Sequence, residues 1–124
     1  MPYIAAEDAP TFQIPGTTFI GLASPSRGAT ENSVWRVRLD AGTPAKPHSL
    51  TREEVFVVTS GSAIASVAGS EIRLAPGDSL IVPAFTAFSL ANPSQDVFEA
   101  VVVLPVGGRA MLEDGAPFVP PWSV

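Results

Sequence analysis

The chain has no cysteine, so neither a disulfide framework nor a thiolate metal site is open to it. It has one histidine, His48, and one tyrosine, Tyr3. Cationic charge is also scarce: seven Lys and Arg stand against twelve Asp and Glu, for a net charge of -5. Only Arg36 and Arg38 lie close together, so no basic patch can neutralise phosphates, and nucleic acid is excluded as a partner. No apolar run approaches the roughly 20 residues of a membrane span, so no membrane partner is expected. The opening stretch MPYIAAEDAP lacks both a basic region and a long hydrophobic segment. It does not read as a signal peptide, and a cytoplasmic location is expected. No stretch sustains a 3.6-residue apolar period, so helix content should be close to nil.

What the chain has instead is punctuation. Thirteen prolines and ten glycines divide it into short pieces that alternate in polarity or are rich in Val, Ile, Phe and Thr, as strands are. The pattern predicts strands near 11–14, 17–23, 33–40, 44–50, 53–60, 62–68, 70–75, 79–83, 86–91 and 97–104. Turn chemistry falls at AGTP (41–44), SGS (60–62), AGS (68–70), APGD (75–78) and ANPSQD (91–96). That spacing suits an antiparallel sandwich or barrel. At 124 residues and 46% hydrophobic the chain is read as one all-β domain, 1–124, with a well-filled interior. Charged residues are only 15%, so part of the outer surface should be apolar, and a homo-oligomer, most simply a homodimer, is expected. The proline-rich tail, 115–124, cannot form a central strand. Its Phe118 and Trp122 are expected to lie across the body or a neighbouring subunit.

Two segments carry most of the information. In GTPAKPHSLTREEVFVVTSG, residues 42–61, Gly42 is followed by five residues, His48, Ser49 and Leu50. Three residues then precede Glu54 and six precede Gly61. In the second segment, 77–92, Gly77 leads to Pro83, Phe85, Phe88 and Asn92 at fixed offsets. These spacings resemble the two motifs of the cupins, in a small single-domain form. The resemblance implies a double-stranded β-helix, or jelly-roll, barrel. It also implies a metal centre of two histidines and a Glu from the first motif and a histidine from the second. Here His48 and Glu54 remain, and Leu50 and Phe88 occupy the other two positions.

A first-row divalent ion usually takes three or four protein ligands. One imidazole and one carboxylate fall short of that. Glu53 has the opposite strand parity to Glu54, and Glu71 and Asp78 sit next to turns, so no tight metal site and no cofactor are expected. A weakly held divalent ion on His48, Glu54 and waters is the alternative. With His48 and Glu54 facing inward, as the resemblance implies, the pocket is floored by Leu50, Phe56, Phe88 and valines, and suits a small hydrophobic or planar molecule. His48 and Glu54 would form a hydrogen-bonded pair sharing a proton. Such a pair either performs acid–base catalysis or only braces the core.

Other residues carry weaker signals. Arg36 and Arg38 share a face opposite Trp35, Val37 and Leu39. They either bind a substrate carboxylate or pair with acids at an interface or in solvent. Phe85 and Phe88 either stack on a planar ligand or plug a cavity, and Lys46 is expected at the rim. Metal-free sugar-nucleotide epimerases of the superfamily use a Tyr acid, and Tyr3 lies outside the motif region, so that comparison is poor. Three functions are consistent with the residues: acid–base catalysis of the isomerase, cyclase or dehydratase type; a metal-dependent oxygenase or isomerase; and a non-enzymatic binding or interaction module.

Overall fold

A computed structural model describes all residues, 1–124. Eleven strands carry the regular structure: β1 Thr11–Ile14, β2 Thr17–Ala23, β3 Asn32–Leu39, β4 His48–Leu50, β5 Glu54–Ser60, β6 Ala63–Val67, β7 Ser70–Leu74, β8 Ser79–Val82, β9 Phe88–Ala91, β10 Phe98–Pro105 and β11 Ala110–Leu112. Helix is limited to three single 3-10 turns, at Ala6–Asp8, Pro25–Arg27 and Pro121–Ser123. No helix is long and apolar enough to cross a membrane. Two antiparallel sheets face one another, with strand orders β1-β2-β3-β10-β5-β8 and β11-β4-β9-β6-β7, which makes the predicted jelly-roll barrel.

Period-two alternation fills the space between the sheets. Along β3, Ser33, Trp35, Val37 and Leu39 are buried while Asn32, Val34, Arg36 and Arg38 face outward. On β10, Phe98, Ala100, Val102 and Leu104 are fully buried, each large side chain contributing about 1.5–3 kcal/mol. Gly61 closes the first motif because nothing else fits there. Its φ is +72°, and a Cβ would collide with the Val97 carbonyl oxygen. Asn92, which ends the second motif, is a fully buried clasp. Its Nδ2 donates to the carbonyls of Leu39 (3.0 Å), Asp40 (3.2 Å) and Asp96 (2.8 Å), and its Oδ1 accepts from Ser94 N and Oγ.

Two elements depart from expectation by more than two residues. The strand expected over 44–50 is only His48–Leu50, because Pro44 and Pro47 have no N–H to give to a ladder. β11 was not expected. It follows the Gly107–Gly108 turn and pairs with β4, placing Leu112 opposite His48. The tail lies on the body of its own chain. Phe118 and Ala110 exchange two backbone hydrogen bonds, of 2.9 and 2.8 Å, and Ser33 Oγ donates to the Ser123 carbonyl at 2.6 Å. The Trp122 ring lies flat on Phe19, with centroids 3.6 Å apart at 3°, and meets Trp35 edge-on.

Candidate functional site

Between the sheets lies a cavity of about 190 Å³, open to solvent on one side. β4 supplies His48 and Leu50, β5 supplies Glu54 and Phe56, and β9 supplies Phe88 and Leu90. β2 and β3 contribute Phe19, Trp35, Val37 and Leu39, and the tail closes one wall with Phe118, Pro120 and Trp122. The lining is predominantly apolar and aromatic, and His48, Glu54 and Lys46 are its only ionisable groups.

His48 is held by its own strand entry. Its Nδ1 lies 2.9 Å from the Lys46 carbonyl oxygen. A carbonyl only accepts, so Nδ1 carries the proton and the neutral ring keeps its lone pair on Nε2. Burial is the main force lowering the pKa of His48, and the Lys46 charge adds to it, while the hydrogen bond to the Lys46 carbonyl opposes both. The Phe88 ring, from the position directly across the strand pair, stands 4.3 Å from the imidazole at 49°. His48 therefore presents a neutral proton acceptor against an aromatic face.

Glu54 is only 4% exposed. Its Oε1 is buried and has no hydrogen-bond partner. Burial pushes its carboxyl up to about 8, so at neutral pH the group is mostly an uncharged acid with an O–H to donate. His48 and Glu54 share the cavity but do not meet: no hydrogen bond or ion pair joins them. The expected shared-proton pair is corrected to two separate groups: His48 stands on β4 in one sheet, its Nδ1 held by the Lys46 carbonyl, and Glu54 stands on β5 in the other.

The other expected site residues divide between the cavity and the outside. Leu50, Phe56 and Phe88 line the cavity and Lys46 lies on its lining with an exposed side chain. Arg36 and Arg38 do not reach it. They stand on the outer face of β3, where Arg36 Nε lies 3.8 Å from Glu99 Oε1 and Arg38 Nε lies 3.3 Å from Glu99 Oε2. That position follows from parity, since Trp35, Val37 and Leu39 take the inner face. Phe85 is also outside, 70% exposed, in the left-handed backbone region at φ +59°. Tyr3 is exposed as well. Sequence reasoning had placed neither Phe19 nor the tail aromatics in the pocket. Phe118 and Trp122 take the first of their two expected positions, across the body of their own chain, and that wall belongs to the cavity.

The donor set does not fit the metal centre that the cupin motifs imply. No group of three or more His, Cys, Asp or Glu side chains comes together anywhere in the chain. The cavity offers one imidazole nitrogen and one carboxyl that keeps its proton at neutral pH, beside Leu50 and Phe88, against the three or four ligands such an ion usually takes.

Comparison with known proteins agrees with the architecture. The chain superimposes on the polyketide cyclase RemF from Streptomyces resistomycificus with a TM-score of 0.80 at 16% identity, covering 98% of this chain and 88% of that one. Salicylate 1,2-dioxygenase from Pseudoaminobacter salicylatoxidans, solved as adducts with gentisate, gives 0.71 at 22% identity, covering 88% of this chain and 32% of the dioxygenase. The 7S globulin of Momordica charantia gives 0.77 at 18%, covering 93% and 38%. The chain thus spans most of the cyclase but only about a third of the other two, and at these identities the likeness is one of fold. No curated protein matches it in sequence. The cupin-domain family profile matches residues 35–104, more than half of the chain and the whole of both motif segments. On the fold, the motif spacings and this match, the chain belongs to the cupin family.

Proposed function

We propose that this cupin is a proton-transfer enzyme of the isomerase, cyclase or dehydratase type, acting without a tightly bound metal on a small planar apolar molecule. The observation that carries the reading is the pair of unengaged groups in one apolar cavity: a neutral imidazole with its Nε2 free and a buried carboxyl with an unpartnered oxygen. In the simplest case, His48 Nε2 removes a proton from carbon next to a substrate carbonyl while the Glu54 O–H gives its proton to the carbonyl oxygen. The products are an enol, an imidazolium and a carboxylate. Where the substrate is a β,γ-unsaturated ketone the enol is a dienol. Return of the imidazolium proton to its γ-carbon, with the dienol O–H proton going back to Glu54, moves the double bond into conjugation and completes an isomerisation with no oxidant or reductant. Exclusion of water by Phe56, Phe88 and Trp35 favours transfer between the fixed groups.

Size is consistent with this reading. A cavity of about 150 Å³ is enough for benzene, so about 190 Å³ with an open side suits two fused rings with a substituent in the mouth. The test is exchange of the α-hydrogens of 2-tetralone for deuterium, followed by proton NMR. Exchange faster than in buffer, lost in His48→Gln and unchanged by a chelator, is expected. Exchange no faster than in buffer would leave a binding module, and loss on chelation would point to metal-dependent chemistry.

The same reading includes a homodimer through the outer face of the first sheet. Val34, Val103, Val55 and Ile81 stand in register across four neighbouring strands, an apolar row about 14 Å long at the usual strand spacing. The row ends at Ile81, 60% exposed, on the edge strand β8. A second copy of this chain packed face to face on these strands covers both rows together.

A further inference from the structure

We propose that the cavity selects an uncharged planar molecule offering a carbonyl-type oxygen to the buried carboxyl of Glu54, and that it rejects the isosteric carboxylate. The proposal rests on the reading of the cavity as a small-molecule site and adds the class of ligand it takes. Glu54 is 4% exposed, lines the cavity, and leaves Oε1 without a partner. Buried polar atoms are almost always hydrogen-bonded, so an unpartnered carboxyl on a residue that lines a cavity marks a place for a ligand atom. A protonated carboxyl has one O–H to give, and a ketone oxygen is the simplest acceptor for it.

The same walls leave an anion without compensation. Arg36 and Arg38, for which carboxylate binding was one of two alternatives, lie outside and take the other, pairing with Glu99. The groups facing Glu54 from neighbouring elements are Val82, its partner on β8, and His48 on β4, which burial keeps toward its neutral form. Lys46 is the one cation on the lining, and its side chain is exposed. Arg52 and Glu53, in the turn that leads into β5, are exposed as well. A buried charge needs a partner, and none is offered at depth. The aromatic walls, with Phe56 edge-on to Phe88, favour a flat ring system.

The probes are 2-acetylnaphthalene and 2-naphthoate, which differ little except in charge, measured by equilibrium dialysis with the full chain. At pH 6.5 the ketone is expected to bind at least tenfold more tightly than the carboxylate. Its affinity should fall at least tenfold by pH 9.5, because Glu54, titrating at about 8, then has no proton to donate. Glu54→Gln keeps a neutral donor, so its affinity should stay within about threefold of wild type at pH 6.5 and remain flat with pH. Glu54→Leu, checked for wild-type circular dichroism, should lose at least tenfold. Equal binding of the two probes, no binding of the ketone, or the same pH-dependent loss in Glu54→Gln would each overturn the proposal. Failure of 2-tetralone exchange with this selectivity intact would remove the catalytic reading alone.

Discussion

Replacing Glu54 by Gln tests the electrostatics of the cavity through stability alone, without any ligand. Burial moves the carboxyl from 4.5 to about 8, so the folded chain keeps a proton that the unfolded chain releases. A carboxyl raised in this way contributes stability that is complete below pH 4.5 and lost as pH rises through about 8. The window spans about 3.5 pH units at about 1.4 kcal/mol each, or about 5 kcal/mol in all. His48 works in the opposite direction. Its pKa is lowered by burial, so its contribution is lost as pH falls through 6.5, and between 4.5 and 6.5 the two slopes oppose one another. The interval least affected by His48 is therefore pH 6.5 to 8, where wild type should lose about 1–2 kcal/mol. Urea unfolding at half-unit steps, extrapolated to water, measures this directly. Glu54→Gln has no such group and should be flat over the interval, so the difference between the two proteins grows in its favour with pH. Parallel curves from pH 6.5 to 8 would refute the reasoning, since they would mean that Glu54 is already ionised in the folded chain.

Further outcomes follow from single contacts. Trp122→Ala removes the flat stack on Phe19 and the edge contact with Trp35; it should cost about 2–3 kcal/mol by thermal or urea unfolding and weaken ketone binding by opening the tail wall. Arg36→Ala and Arg38→Ala break the exposed pairs with Glu99; each should change stability by no more than about 1 kcal/mol and leave binding of both naphthalene probes unchanged. Leu50→His combined with Phe88→His puts two imidazoles where the cupin pattern has them; calorimetric titration should find one zinc ion per chain for that variant and no tight ion for wild type. Ile81→Glu places charge on the exposed apolar row and should convert a dimer to monomer by sedimentation.

Much of the fold was legible because β alternation and turn chemistry are local properties. β3 and β10 follow a strict period of two, as β5 does from Glu54 to Val58, and the same parity that buries Trp35 and Val37 sends Arg36 and Arg38 outside. The proline-bearing approach to His48 and the short β11 were harder, since three-residue strands are defined by their partners rather than by their own composition. His48, Leu50, Glu54, Phe56 and Phe88 were legible as cavity residues from motif spacing. The relation between His48 and Glu54 was not, because it depends on which backbone carbonyl the imidazole meets. Nor was the contribution of Phe118, Pro120 and Trp122, since a proline-rich tail carries no register and its destination is set by long-range contacts such as Ser33 with Ser123.

The whole account turns on Glu54 being an uncharged acid at neutral pH. Carbon-13 NMR of chains labelled at the glutamate side-chain carboxyl, with Glu54 assigned by its absence from Glu54→Gln, reads that state directly. A midpoint near 8, well apart from the other glutamates, is the predicted result. A Glu54 signal that titrates near 4.5 with the rest would contradict it.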